Sequence, residues 1–353
     1  MKLETTMKKN LYTLFVSLLL IQPAIAQNFQ KVVGGANEEY SNSIIHAYDG
    51  GYIMTGTTLS YGSMLGSTED IYVLKTDSLG TVQWTRTFGN ADNDEAVWIE
   101  PYINNTYLIC GTTFSSVGTV AHMFVMRLDL NGNILSLQQF SGFGREGANC
   151  IRATNDNGYI VAGKTSDGLN DQFCIVKCDS IGSIQWSKAF SGPDQQNAFH
   201  VSQTSDSGFI VAGTSRYVNT WYTLYLVKLS SSGNLQWSKM YNTSPFNSKC
   251  FVSRILQLQD GSFLLCGSSN AIGQPLTDIL LMKLDSAGNI IWKKVYEGND
   301  SEFANDVFED GNTGFVICGQ TASTSTSGYY DALLMKTDKD GNLLWTKSYG
   351  VND

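Results

Sequence analysis

The segment "GNIIWKKVYEG", from Gly288 to Gly298, is one of six similar segments spaced along the chain. The fifth position is tryptophan in five of them and serine in the second. These marker positions are Trp84, Ser136, Trp186, Trp237, Trp292 and Trp345, with successive separations of 52, 50, 51, 55 and 53 residues. A period this regular indicates an array of six repeats.

Each repeat carries the pattern of a β-hairpin before its marker position. In the fifth repeat an apolar run, "ILLMKLD", leads into the four-residue segment Asp285 to Gly288. An aspartate at the first position of such a turn accepts backbone N–H groups, and a glycine at the last position adopts a positive φ without strain. The same D-x-x-G turn starts at Asp77, Asp129, Asp179 and Asp338. Two paired strands are therefore predicted in every repeat.

Two further strands are predicted upstream of each hairpin. One has the pattern of "DNGYIVAG", which begins at Asp156, and the other is a weaker segment such as "SIIHAY", which begins at Ser43. Several of the strands are apolar without alternation, which indicates that both faces of each sheet are covered. Four short strands in about 52 residues, repeated six times, predict an all-β chain that folds as a β-propeller of six four-stranded repeats. We expect one domain over residues 27–353.

The start of the mature chain leaves two ways to complete the ring. "FQKVVGG", from Phe29 to Gly35, aligns with "WTRTFGN", from Trp84 to Asn90, and predicts a seventh copy of the fourth strand. Such a strand would either complete a blade across the chain ends or belong to a seventh unit. Seven blades are therefore the alternative if the chain is incomplete.

These motifs resemble those of exported bacterial β-propeller repeat proteins associated with type IX secretion. The resemblance rests on the patterns D-G-G-Y-I-x-x-G, L-V-K-L-D-x-x-G-N and W-x-K-x-Y-G, and it covers residues 28–353. It implies a propeller fold and says almost nothing about activity.

The first 26 residues have the pattern of a signal peptide. Lys8 and Lys9 precede an apolar run from Leu11 to Ile21, and Ala24 to Ala26 offers a cleavage site. Removal of this segment takes away a net charge of +2, so the formal charge moves from -9 to -11. An acidic exported protein is not expected to bind nucleic acid. No other stretch is long and apolar enough to predict a membrane span, so we expect a secreted or cell-surface protein, and a monomer.

Seven cysteines fit poorly with a complete set of disulfides. Cys110, Cys266 and Cys318 each precede a glycine, at a position where other repeats have alanine or threonine. A small buried position predicts free thiols in the core for these three. One disulfide among Cys150, Cys174, Cys178 and Cys250 is the alternative.

A phosphate-binding loop is excluded by its context. Gly158 to Thr165 matches G-x-x-x-x-G-K-T, but its interior is "YIVA" and the equivalent segment of the fourth repeat has Thr214 in place of Lys164. A strand is predicted there instead. A basic residue that recurs once per repeat, for example Lys177, is expected to pair with a repeated carboxylate or to extend to solvent, and an anion-binding ring is the alternative.

No cofactor, metal site or catalytic residue is predicted. The chain has three histidines, His46, His122 and His200, and none of the common metalloprotease or serine-hydrolase motifs. The acidic residues between repeats, such as Asp94 and Glu302, are expected to be solvated loop charges, and a ring of cation ligands is the alternative. Propeller glycosidases and lyases take carboxylates from several inner strands, so an enzyme remains the alternative.

The best candidates for ligand binding are aromatic residues in the variable loops between the second and third strands. Rings on loops that a rigid scaffold holds stack on sugars or anchor protein partners. These residues are Tyr61, Phe114, Tyr217, Trp221, Tyr222, Tyr329 and Tyr330. The sequence therefore predicts a non-enzymatic binding or interaction module, with a protein or a glycan as its ligand. The alternative is a glycoside hydrolase or polysaccharide lyase with its site on the propeller channel.

Overall fold

The described part of the chain is built from β-strands. The computed structural model describes residues 31–62, 68–115, 120–140, 145–166, 169–191, 195–216, 222–241, 250–270, 276–311, 313–322 and 330–350. Every regular element in these ranges is a strand, and the 24 strands form six four-stranded sheets. The predicted signal peptide, residues 1–26, lies outside the described residues.

The first three sheets are formed in chain order. The first contains β1 (Glu39–His46), β2 (Tyr52–Thr58), β3 (Asp70–Thr76) and β4 (Val82–Phe88). The second contains β5 (Asp94–Tyr102), β6 (Thr106–Phe114), β7 (Ala121–Leu128) and β8 (Ile134–Phe140). The third contains β9 (Gly147–Ala153), β10 (Tyr159–Ser166), β11 (Asp171–Cys178) and β12 (Ile184–Phe190).

The last three sheets follow the same plan. The fourth contains β13 (Gln196–Gln203), β14 (Phe209–Arg216), β15 (Tyr222–Leu229) and β16 (Leu235–Tyr241). The fifth contains β17 (Cys250–Gln257), β18 (Phe263–Asn270), β19 (Thr277–Leu284) and β20 (Ile290–Tyr296). The sixth contains β21 (Glu302–Asp310), β22 (Gly314–Thr321), β23 (Asp331–Thr337) and β24 (Leu343–Tyr349).

The sheets are arranged as the blades of a propeller. Within each sheet the four strands pair antiparallel in chain order, and the first strands of consecutive sheets lie beside one another. The chain is therefore a six-bladed β-propeller, which confirms the predicted fold class. Among the described residues, none forms a helix that is long and apolar enough to cross a membrane.

Apolar cores between consecutive sheets hold the fold together. Between the first and second sheets, Ile53 and Val73 pack against Ile109 and Phe124, and all four are at most 1% exposed. Equivalent cores join each later sheet to the next, up to the fifth and sixth. The second and third strands are apolar on both faces because each face belongs to a different core. Within the described residues, no such core joins the sixth sheet to the first.

A β-bulge in the first strands links neighbouring sheets. In three sheets the side chain of the extra residue donates a hydrogen bond to a backbone carbonyl in the next first strand. The pairs are Asn42 with Ala96, Asn149 with Ala198, and Ser253 with Ala304. The second strand passes close to the bulge. A Cβ added at Gly213 would lie only 2.0 Å from the Asn197 carbonyl oxygen. Only glycine fits at this position, which explains its recurrence in the "VAG" and "ICG" segments.

The repeated turn forms as predicted, and the tryptophan of the preceding sheet packs on it. Gly288 has φ +77°, and the backbone N–H of Asn289 donates to Asp285 Oδ1 at 2.7 Å. The indole of Trp237 lies over this glycine, and a Cβ added there would be 2.9 Å from the ring. The tryptophan is therefore a packing position between sheets.

In five sheets a lysine of the third strand pairs with an aspartate at the junction of the first and second strands, and the lysine is buried in all of them except the fifth. Lys75 Nζ lies 2.7 Å from Asp49 Oδ2, and the lysine side chain is only 4% exposed. The four other pairs are Lys177 with Asp156, Lys228 with Asp206, Lys283 with Asp260, and Lys336 with Asp310. The prediction that the repeated basic residue pairs with a carboxylate is confirmed in these sheets.

The resemblance to a phosphate loop is also explained, because Tyr159 to Thr165 lies in β10 and Lys164 pairs with Asp171 at 2.7 Å.

Two predictions are corrected. All seven cysteines are free, but Cys318 is exposed rather than buried, because the face of the sixth sheet that carries it packs against no other sheet among the described residues. The predicted strand at 29–35 is not formed over Lys31–Gly35. A fourth strand pairs with a third strand, and β3 and β23 already pair with β4 and β24.

The ion pairs predict a loss of stability in acid. The hydrogen bond from Lys283 helps to lower the pKa of Asp260 to about 2, below the value of about 3.9 for an unfolded chain. A carboxyl group with a depressed pKa stabilises the fold above its unfolded pKa, and this contribution is lost as the pH falls through the folded value. We expect the urea midpoint to fall steeply between pH 4.5 and pH 2.5. Asp260→Asn should flatten that fall, whereas an identical pH profile in this variant would contradict the role of the pair.

Candidate functional site

The loops between the second and third strands and the connections between sheets lie at the same end of the propeller. This follows from the antiparallel order, because second strands end, and first and third strands begin, at that end. Four predicted binding residues are described there, namely Tyr61, Phe114, Tyr222 and Tyr330, while Tyr217, Trp221 and Tyr329 lie outside the described residues.

Tyr61 and Phe114 are placed apart from the other candidates. Tyr61 stacks on Tyr72 with ring centroids 5.7 Å apart, and its hydroxyl donates to the Gly34 carbonyl at 3.3 Å. Phe114 is half-buried at the end of β6, where its carbonyl accepts a hydrogen bond from Asn90. Both residues serve the local packing of their own sheet.

Tyr222 and Tyr330 instead belong to a line of rings that crosses three sheets. We call Tyr222, Phe251, Phe303 and Tyr330 the aromatic row. The Phe303 ring contacts Tyr330 at 5.7 Å and Phe251 at 6.4 Å between centroids. Phe251 and Tyr222 both line one cavity between the fourth and fifth sheets. Phe251 and Tyr330 are 43% and 49% exposed, so rings on either side of Phe303 are open to solvent.

The cavity between the fourth and fifth sheets adds polar groups to the row. Its volume is about 260 Å³, and Phe199 forms part of its apolar wall. Asn197 and the ion pair of Lys164 with Asp171 also line it. A pocket lined by both aromatic rings and hydrogen-bonding groups matches the general composition of a ligand site.

Phe251 and Phe303 were missed from the sequence because they lie in the weakly patterned first strands. They occupy one register position, opposite Ser268 and Gln320 respectively. The same position holds Tyr40 in the first sheet, which is 52% exposed. An aromatic residue at the second position of three first strands was the available signal.

The acidic residues of the connections are structural and form no cation site in the described part of the chain. Glu39 Oε1 accepts a hydrogen bond from the Thr58 hydroxyl at 3.0 Å, and Glu302 Oε1 accepts one from Thr321 at 2.9 Å. Within the described ranges, no group of three metal-ligating side chains comes together.

The first strands carry a second group of charged residues. Arg152 Nη1 lies 3.0 Å from Glu100 Oε2, and Arg254 Nη1 lies 2.7 Å from Asp306 Oδ1. His200 packs edge-on against Trp98 at 5.3 Å. Burial raises the pKa of Glu100 and holds the pKa of His200 well below its usual value, so this histidine is neutral at pH 7.

The histidines do not meet in one site. His46 stacks near Tyr52 at 5.0 Å, and His122 Nδ1 lies 3.7 Å from Glu146 Oε2. His200 belongs to the group around Trp98. The three histidines therefore lie in three different sheets.

The second sheet departs from the repeat in two ways at one place. Ser136 replaces the tryptophan, and a cleft of about 550 Å³ lies between this serine and Gly182 of the next turn. Arg127 replaces the buried lysine and has no ion pair among the described residues. It donates to Thr106 Oγ1 at 3.0 Å and lies 5.1 Å from the centre of the Tyr102 ring.

Comparisons with known proteins identify the fold and no family. Neither models of protein families nor curated proteins gave a match. A periplasmic gluconolactonase of Pseudomonas aeruginosa is similar in structure, with a TM-score of 0.53 and 8% identity over 88% of this chain and 85% of that one. A puromycin hydrolase gives a TM-score of 0.51 and 13% identity, and the match spans 85% of this chain but 43% of the hydrolase.

A Bacteroides caccae protein of unknown function is also similar. It has a TM-score of 0.49 and 13% identity over 83% of this chain and 93% of its own. Identities this low show shared architecture and not shared activity.

Filling the cleft beside Ser136 should stabilise the protein. We expect Ser136→Trp to raise the free energy of unfolding by about 1–2 kcal/mol, because the indole would bury apolar area over Gly182 as Trp237 does over Gly288. Urea denaturation measures the change, with Ser136→Ala as the control that adds no ring. A midpoint below that of the parent would show that the cleft is closed to an indole.

Proposed function

We propose that this protein is an exported, non-enzymatic binding module that acts at the cell surface or outside the cell, with a glycan or a protein as its ligand. The observation that carries the proposal is the aromatic row, in which partly exposed rings of the fifth and sixth sheets contact one another and Tyr222 of the fourth sheet lines the same cavity as Phe251. Exposed rings in a line are costly to keep in water unless a ligand covers them.

The scaffold gives the row the properties of a preorganised site. Phe251 and Phe303 lie on β-strands rather than on loops, so their backbone positions are held by the ladders of two sheets. A flat ring at a fixed place loses little entropy on binding and presents its face to a sugar ring or an apolar side chain. Asn197 and the Lys164–Asp171 pair supply hydrogen bonds to hydroxyl groups beside the rings.

Export is consistent with the state of the cysteines. The N-terminal 26 residues have a signal-peptide pattern, and the repeat motifs resemble those of proteins that use type IX secretion. Six of the seven thiols are buried, and burial raises the pKa of Cys150 and Cys174 to about 12. Thiols that stay protonated and inaccessible persist without disulfides in an oxidising compartment.

A pair of phenylalanines on β21 provides the test. Phe303 belongs to the aromatic row, whereas Phe308 is 56% exposed near the other end of the same strand. We expect the protein to retain oligosaccharides on a glycan array. Phe303→Ala should lower the affinity for the tightest-binding oligosaccharide roughly 30-fold, or about 2 kcal/mol. Phe308→Ala should leave the affinity unchanged. Equal losses in both variants, or retention that is independent of Phe303, would contradict the assignment of the row.

A glycoside hydrolase or polysaccharide lyase is the second candidate, and the group around Glu100 favours it. This carboxyl is buried with a raised pKa, so it keeps a proton to a higher pH than a free glutamate. Against a hydrolytic pair, Glu100 and Asp306 are each held by an arginine. Incubation with the retained oligosaccharides followed by analysis of products separates the candidates. Cleavage that Glu100→Gln abolishes, with folding intact, would overturn the binding-module proposal.

A further inference from the structure

One face of the first sheet is open where every other sheet is covered. Ile44 in β1 lies opposite Met54 and is 57% exposed. The residues at the same position of the other five first strands are all 0% exposed, and they are Ile99, Ile151, Val201, Ile255 and Val307. Each of these five packs in the core that joins its sheet to the preceding one. Ile44 has no such core.

The opposite face of the sixth sheet is open in the same way. Cys318 is exposed, whereas Cys110 and Cys266 at the same position are 0% exposed. Trp345 and Tyr349 of β24 on this sheet are 41% and 55% exposed. In the other repeats the second of these positions holds an aromatic residue that packs on the following sheet, and the first holds a tryptophan in all but the second repeat.

The two open faces are the two kinds of surface that meet in every core of the propeller. Between the fifth and sixth sheets, for example, Cys266 and Leu281 of the fifth pack with Val307 and Ile317 of the sixth. The sixth sheet offers Cys318 and Leu334 for a following sheet, and the first offers Ile44 for a preceding one. The missing element therefore presents both faces of an ordinary blade.

The segment before β1 already lies where the outer strand of a preceding blade would run. Lys31, Val32 and Val33 border a cavity of about 550 Å³ over the open face of the first sheet. Val33 is half-buried, whereas Val32 is 94% exposed. In the sequence alignment, Val33 corresponds to Phe88, which packs between the first two sheets.

We propose that the open faces bind one further unit of the same repeat. Three of its strands pair in order, and the third pairs with Lys31–Gly35 as the fourth, which closes the ring as a seventh blade. The continuity of this surface with five existing cores favours a repeat unit over an unrelated partner. A second copy of the chain is a less suitable occupant, because in each copy residues 31–33 lie over the open face of the first sheet that the other copy would have to contact.

Fusion of a repeat tests the proposal. A copy of residues 297–340, with the equivalent of Cys318 changed to Ala, is placed after Tyr349. The reactivity of Cys318 in the parent part of the fusion then shows whether the open face of the sixth sheet is covered, since Cys318 is the one exposed thiol among the described residues. We expect its reaction with a thiol reagent to slow at least about tenfold, the Trp345 emission to shift to the blue, and the thermal midpoint to rise.

The control is the same fusion with Asp in place of both the Phe315 and the Ile317 equivalents of the added copy. Such a copy cannot form an apolar face, so Cys318 should react as in the parent. Equal reactivity in the intact fusion and the control would overturn the proposal. A parent chain that elutes as a dimer with Cys318 already protected would overturn it in favour of a second copy.

A matched pair of substitutions keeps the proposal testable if the fusion does not fold. Leu281 and Leu334 occupy one position of the repeat, opposite Cys266 and Cys318, and Leu281 is 0% exposed. In the six-sheet chain we expect Leu281→Asp to lower the thermal midpoint strongly and Leu334→Asp to lower it little. Equal losses would mean that the face of the sixth sheet is already covered, which contradicts the proposal.

Discussion

Face-to-face burial of apolar side chains between consecutive sheets is the constraint on which the rest of the structure depends. A four-stranded sheet of this length has two apolar faces, and neither is stable in water. Residues such as Ile53 and Phe124 reach full burial only because the next sheet supplies the second half of the core. The stability of each blade is therefore shared with its neighbours, and the order of the sheets around the axis follows from the order of the chain.

The polar groups of the repeat act within this constraint and do not replace it. The repeated lysine of five sheets neutralises the aspartate at the junction of the first and second strands, and the tryptophan covers the glycine of the following turn. The second sheet has neither device, yet it forms four strands like the others. The apolar cores on its two faces are therefore sufficient for the sheet to form.

The sequence predicted the parts of the molecule that repeat. The spacing of the tryptophans, the D-x-x-G turns and the two-faced apolar strands led to the six sheets, because each feature has one local physical cause. The candidate site was predicted only in part. Tyr222 and Tyr330 were selected from loops, but Phe251 and Phe303 lie on first strands, and their alignment depends on contacts between sheets that no single repeat encodes. The exposure of Cys318 was missed for the same reason, since it depends on what the neighbouring face lacks.

The aromatic row and the open faces meet on the sixth sheet. Tyr222 and Phe251 lie on sheets that are packed on both faces, whereas Phe303 and Tyr330 belong to a sheet that is packed on one. The part of the row on the sixth sheet is therefore the part with the fewest restraints. A blade that docks on the free face restrains Phe303 through the strand it shares with Val307, and a ligand that spans the row restrains the same sheet from the other side. Because such couplings are reciprocal, the two proposals together predict that ring closure and ligand binding strengthen each other.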